Sequence, residues 1–370
     1  EKVRVIDYGE YKDANATFTK NGTATVFDEN AIHSLIENAK EIPLESVVRF
    51  NDIADEIASF FKDGMPKGNV CGIESLDEVF SWNFGQYCMV TGIPTHGKST
   101  VIDQMLIGYV RNYGYKIAYC SPENLPLRIH IGKLVTKILG YVPTEKQIES
   151  KEYKMCAQFI QDNFDFVVFE KGCNLTTTLN KFRELVKRRG TRIFVIDPIN
   201  KVQLNESRTK SDVQYAQDYS FAIDEFVKET NSFAFVIAHP VKQTPDKGVF
   251  PKPNPYSIKG GGDWLDMTYH MLCVHRDFVD NITEVDIFKC KFDHLGKNGA
   301  VVKLKYNGKN SRMSCLSGTN LDSIETRTAN HDYTNWITNL LSEQGAKYEY
   351  EEKVDWNNMA KPTVEEQIPF

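Results

Sequence analysis

No run in this 370-residue sequence is long and apolar enough to cross a membrane, and its opening residues carry no secretory pattern. Both absences lead us to expect a cytosol-like compartment and no membrane partner. The eight cysteines fall in separate segments without a single CxxC pair. That excludes a zinc ribbon and argues for reduced thiols rather than a disulfide framework. Basic charge is not in excess either: the net charge is −6. Contact with nucleic acid therefore has to be local, through loops, rather than through a globally basic surface. There are no internal repeats. The sequence opens on Glu1 rather than Met, so a piece of a longer chain is expected. Residues 1–46 hold too little apolar material for a core of their own.

What is present is organised around Tyr87–Thr100, YCMVTGIPTHGKST. A short apolar run leads into Gly92, four residues (Ile93, Pro94, Thr95, His96), then Gly97, Lys98, Ser99 and Thr100. This is the spacing of a phosphate-binding loop, whose glycines let several backbone N–H groups converge on one anion. Lys98 is expected on the β- and γ-phosphates of ATP or another NTP, and Ser99 on Mg2+. The following helix aims its N-terminus at the same charge. Val101, Met105, Tyr109 and Ile102, Leu106, Val110 form i, i+4 rows for burial.

Downstream the chain alternates. Strand-like runs at Lys116–Cys120, Phe166–Phe169, Ile193–Asp197 and Phe233–Ala238 are separated by helical patterns at Leu127–Gly140, Glu145–Phe164, Thr178–Arg189 and Ser211–Thr230. This predicts an α/β fold, a P-loop NTPase core with a mostly parallel sheet and helices on both faces. After Met271–Val274 come short strands, Val285–Lys291, Val301–Tyr306 and Arg312–Cys315, read as an antiparallel extension. Before the core, residues 50–62 form an amphipathic helix with Ile53, Ile57, Phe60 and Phe61 clustered. Residues 319–370 are polar, with an amphipathic patch at Tyr333–Leu341 and an acidic end.

Three strand ends carry chemistry. Asp197 closes an apolar strand downstream of a phosphate loop, a Walker B arrangement in which the carboxylate holds Mg2+ through water. Glu123, just past Cys120, is placed to deprotonate an attacking water. His239 ends the strand Phe233–Ala238, where a polar group senses the γ-phosphate. From there a long Pro- and Gly-rich loop, Val241–Gly262, leaves with Lys242, Lys247, Lys252 and Lys259, and ends Lys259-Gly260-Gly261-Gly262. Loops of this size are uncommon in compact domains. Its lysines and backbone N–H groups suit the phosphates of single-stranded DNA.

The set GIPTHGKST, SPEN, VIDPIN, VIAHPVK, IKGGGDW and HRD, in this order, resembles the RecA-type motor domain of DnaB-like hexameric replicative helicases, in the Twinkle-like and phage primase–helicase branch. The resemblance covers about residues 47–318. It implies four parts: residues 1–46 as the end of a TOPRIM primase-like module, 47–64 as a linker helix docking on the neighbouring subunit, 65–318 as the motor, and 319–370 as an extension. It makes Lys98 and Ser99 the phosphate and metal residues, Glu123 the base, Asp197 the metal acid and His239 the sensor. Lys242, Lys247, Lys259, Gly260 and Gly261 become DNA contacts of a central channel. Arg276 and Tyr306 fall where the family sandwiches the nucleotide base. Where the family carries Lys-x-Arg, its trans-acting finger, this chain has Lys289-Cys290-Lys291. Lys291, with Lys289 beside it, takes the finger position.

The implied activity is an NTP-driven, ring-forming DNA helicase motor, expected as a hexamer at the replication fork, of phage or prophage origin in a bacterial cytosol. The acidic tail ending in Phe370 resembles tips that dock replication partners such as a DNA polymerase. One rival is a RecA/KaiC-like DNA-stimulated ATPase without unwinding. Another, from a different class, is an assembly module that keeps nucleotide as structural glue, against which Glu123 and Asp197 argue.

Overall fold

The computed structural model describes residues 4–5, 19–20, 23–24, 33, 36–41, 47–66, 68–169, 172–204, 211–241, 250–258 and 260–316. Lys242, Lys247, Lys259, the Tyr333–Leu341 patch and the acidic tail lie outside these residues. The chain divides into two compact units, Glu1–Pro66 and Lys67–Phe370.

In the first unit, Arg4–Val5 pairs antiparallel with Lys40–Glu41, and Thr19–Lys20 with Thr23–Ala24. Its one long described helix, α1, spans Ala54–Asp63 after a 3-10 turn at Phe50–Asp52. Asp55 and Glu56 sit in its first turn and Lys62 in its last, in the sense that the helix dipole favours. None of its residues is buried, and Phe61 is 79% exposed.

The second unit is built on a nine-stranded sheet. Its strands are β1 (Gln86–Thr91), β2 (Lys116–Cys120), β3 (Phe164–Val167), β4 (Thr191–Ile196), β5 (Phe233–Ala238), β6 (His270–Asp277), β7 (Ile282–Cys290), β8 (Val301–Asn307) and β9 (Arg312–Cys315). The order is β9-β8-β7-β6-β1-β5-β4-β2-β3. From β6 to β3 all neighbours are parallel, and β6 to β9 form an antiparallel meander. The fold is α/β, as the alternation of patterns predicts.

Both faces are covered because the strands alternate. In β1, Cys88 and Val90 enter one core, while Tyr87 and Met89 enter the other. The first core takes α2 (Lys98–Tyr113), α3 (Leu127–Leu139) and α4 (Lys151–Asn163). Both i, i+4 rows of α2 are buried in it. Trp82 lies at its centre, stacked on Phe233 with ring centroids 3.9 Å apart. The second core takes α5 (Leu175–Arg189), α6 (Asp212–Glu229) and the short α7 (Gly261–Met267). No helix among the described residues is long and apolar enough to cross a membrane.

Some boundaries differ from the sequence reading. The helix expected over 145–164 is a 3-10 turn, Glu145–Gln147, followed by α4. Ser150 interrupts it by accepting the Tyr153 N–H, which starts a new helix. Phe164 leaves that helix to become the buried first residue of β3, two residues before the expected strand. Helix α5 begins three residues earlier than expected, because Asn174 caps it by accepting from Thr177 N–H.

Candidate active site

The carboxyl ends of the parallel strands meet along one edge of the sheet, and β1 feeds the phosphate loop into α2. Helices α4, α5 and α6 each start on a side-chain cap, from Ser150, Asn174 and Ser211. Helix α2 starts on Gly97, with no side-chain cap and no acidic residue in its first turn. Its first N–H groups therefore remain for a ligand. Two glycines shape the loop. Gly97 has φ +93°, and a Cβ there would lie 2.8 Å from an Arg276 nitrogen. Gly92 has φ +147°, and its Cβ would fall 2.1 Å from the Val274 carbonyl oxygen of β6. Relieving that clash means parting β1 from β6. Gly92→Ala is expected to cost more than about 2 kcal/mol of stability, since backbone strain alone is worth about 1–3 kcal/mol. Urea denaturation measures this, and an unchanged midpoint would contradict the contact.

Lys98 is buried, and its ammonium donates to the carbonyls of Gly92 (2.7 Å) and Ile93 (3.0 Å). Burial lowers its pKa to about 8, against the pull of Asp197 and Glu123. A cation held only by neutral carbonyls is under-compensated and favours an incoming phosphate. The Ser99 hydroxyl donates to Asp197 Oδ2 at 2.9 Å, and Asn124 Nδ2 donates to the same oxygen at 3.1 Å. Burial raises the Asp197 carboxyl above its ordinary range, with the Ser99 bond opposing. A hydroxyl and a carboxylate in contact are oxygen donors of the kind that a hard cation such as Mg2+ takes together with water and phosphate. The residues present fit that ion.

The end of β4 is locked to that of β2, because Asp197 N–H donates to Cys120 C=O at 3.0 Å. This brings Glu123 beside the site. Its two oxygens meet His239 Nε2 at 2.9 Å and Lys201 Nζ at 3.0 Å. Partial burial pushes the Glu123 carboxyl up, but the bonds to His239 and Lys201 outweigh it and hold it below its usual value. It is a carboxylate throughout the neutral range. The His239 backbone is fixed in turn, its N–H donating to Asn200 Oδ1 at 2.8 Å.

On the other side of the loop, Arg276 lies with its guanidinium carbon 4.2 Å over the Tyr306 ring and Nε donating to Thr283 at 3.0 Å. Its backbone N–H donates to His96 Nδ1 at 3.1 Å. Burial, then the charges of His275, Lys98 and Arg276, lower His96 to about pKa 4, so the ring is neutral and can accept. Thr95 takes a left-handed conformation, φ 71°, at the tip of the loop, Pro94 precedes it, and Thr100 follows Ser99 in α2.

Lys289 and Lys291 are elsewhere. The register pairs Lys289 with Met271, at the far end of β6 from Arg276. Five residues of strand separate the two positions, on the order of 17 Å. Lys289 donates to the carbonyls of Leu265 (2.5 Å) and Asp266 (2.9 Å) at the end of α7, and Lys291 lies 4.8 Å over the Tyr269 ring. Gly260, in a left-handed conformation, caps the start of α7, and Gly261 is its first residue. Lys252, one of four lysines read as free on the loop, is tied instead to Glu284 and Asp286. Asn124, Asn200 and Lys201 were not picked out from sequence. Both asparagines stand inside quoted runs, SPEN and VIDPIN, but their partners lie on other strands.

The strand order, the phosphate loop on a central strand and the carboxylates at neighbouring strand ends define the fold of a RecA-type motor domain of the DnaB-like class. Solved structures agree. One ATPase domain, crystallised by itself, superposes with a TM-score of 0.60 at 15% identity, covering 73% of this chain and 100% of that one. A DnaB-like replicative helicase, studied for its interactions with primase, gives 0.57 at 16% identity, over 77% of this chain and 70% of that one. In sequence, the Twinkle homolog protein, chloroplastic/mitochondrial, of Arabidopsis thaliana is 27% identical over 289 residues, 75% of this chain. The chain spans 39% of that relative's length. No protein-family model matches.

Proposed function

We propose that this chain is the NTP-hydrolysing motor of a replicative DNA helicase, acting as a ring on single-stranded DNA. The observation that carries the reading is the convergence at one sheet edge of Lys98, the Ser99–Asp197 contact and the Glu123–His239 contact. Lys98 and the uncapped N-terminus of α2 bind the phosphates. Ser99 and Asp197 hold Mg2+, which when bound neutralises phosphate charge. Glu123 takes the proton of the attacking water. His239 releases or grips Glu123 according to what occupies the γ-phosphate position, and the loop that follows it carries that state to DNA. Arg276 and Tyr306 flank the base after parting from one another.

Lys289 and Lys291 stand too far along β7 for their own phosphate loop, which favours a role at a neighbour's. A ring, with hexamer as the expected size, supplies that neighbour, and the exposed apolar face of α1 is suited to dock on it. The TOPRIM-like reading of residues 1–46, the phage and bacterial-cytosol origin, and the docking of replisome proteins such as a polymerase on the acidic tail remain proposals from sequence resemblance.

The test is strand separation: with Mg2+ and NTP, the protein is expected to displace one strand of a forked duplex. Turnover stimulated by single strands without displacement favours the ATPase alternative. A second expectation concerns the loop. Neutralising Lys242 or Lys259 should lower the log–log salt slope of single-strand binding by about 0.7, the value of one phosphate contact. An unchanged slope places that lysine in solvent.

A further inference from the structure

The loop between β5 and α7 is closed at its base. Pro240 and Ile258 form an antiparallel bridge, and Val241 N–H donates to Ser257 C=O at 2.6 Å. Its returning arm, residues 250–258, does not hang free. Lys252 reaches β7, where its ammonium meets Asp286 Oδ1 at 2.6 Å and Glu284 Oε2 at 2.7 Å. Lys303 of β8 adds a longer contact to Glu284, 3.5 Å. The Cys273 thiol of β6 lies 3.8 Å from the Pro253 carbonyl. The His275 ring bonds the Phe250 backbone. That same ring lies 4.8 Å from the ring of His96, inside the phosphate loop. Contact is therefore continuous from the phosphate loop, through His275, to the arm that leads into Lys259-Gly260-Gly261.

We propose that Lys252 is a positioning residue for the motor: it clamps the returning arm onto β7, and so holds the loop in register with the phosphate loop. Asp286 is buried, and its carboxylate neighbour Glu284 is two residues away on the same face of the strand. Without the lysine, two like charges are left together on one face. The arm then loses its ionic hold on β7, and its grip on the His275–His96 stack loosens. Since neither Lys252 nor its carboxylates touch Lys98, Ser99, Glu123 or Asp197, the hydrolytic groups themselves stay in place.

This inference rests on the proposed DNA-driven motor, and the test separates the two. Turnover is measured without DNA and with an oligothymidylate for wild type, Lys252→Met, Lys252→Arg, Glu284→Gln and the double variant Lys252→Met/Glu284→Gln, together with each melting temperature. Lys252→Met is expected to keep its basal turnover and lose stimulation by at least ~5-fold, the lower end of coupling between sites. Lys252→Arg, which can span the same two carboxylates, should be stimulated as wild type is. The double variant should lose no more than the worse single variant, as for one shared interaction. Undiminished stimulation of Lys252→Met, additive losses in the double variant, or equal losses of basal and stimulated turnover with a lowered melting temperature each overturn the inference. A wild type that DNA does not stimulate overturns the motor reading, and the coupling with it.

Discussion

Replacing Glu123 by Gln is expected to lower NTP turnover by ~10²–10⁴-fold, the usual worth of a general base, while nucleotide still binds. The geometry sets this expectation. Glu123 stands past the end of β2, which the Asp197–Cys120 backbone bond ties to β4. His239 and Lys201 keep it ionised, so it can accept a proton at neutral pH. Gln retains the size and part of the hydrogen bonding but accepts no proton. Lys98→Ala, by contrast, should weaken nucleotide binding itself, because it removes the buried cation of the phosphate loop. Phosphate release measures turnover and a fluorescent nucleotide measures binding, which separates these effects. Near-wild-type turnover in Glu123→Gln removes the residue from the mechanism.

The second large effect is expected at Lys291. Lys291→Ala should lower turnover by ~10²–10³-fold, the loss that follows removal of one donor to developing charge. It should do so without weakening nucleotide binding, since the residue lies at the opposite end of β6 and β7 from its own phosphate loop. Within one subunit Lys291 rests over Tyr269 and carries no carboxylate partner among the described residues. Lysine neutralises phosphate charge but lacks the planar fork of arginine. Mixing Lys291→Ala with Lys98→Ala subunits should restore part of the turnover, because some interfaces then combine an intact loop with an intact finger. Mixed rings that stay inactive beside an active Lys291→Ala protein would show that the residue does not act across the interface. Arg276 then becomes the next candidate.

The phosphate loop was legible in the sequence because its chemistry is local. Gly92, Gly97, Lys98 and Ser99 are fixed by chain spacing, and the strand before and helix after follow from periodicity. Each core strand was legible for the same reason, to within a few residues. Boundaries slipped where one side chain decides, as Ser150 does in starting α4 and Asn174 in starting α5. What was not legible is which side chains meet across strands. Asn124 reaches Asp197 over 73 residues of chain, and Lys201 reaches Glu123 over a comparable distance, because β2 and β4 are neighbours. Lys252 shows the limit most plainly. In sequence it belongs to a row of loop lysines, and only the register of β7 beneath it reveals two carboxylates, at 2.7 and 2.6 Å.

The most direct test of the central claim is NTP turnover with Mg2+, measured with and without single-stranded DNA. The account predicts measurable turnover by the protein alone and a several-fold rise when single strands are added. Absence of turnover in both conditions, with nucleotide bound, would contradict it and favour a module that keeps nucleotide as structural glue. Turnover that single strands leave unchanged would contradict the claim that this motor works on DNA.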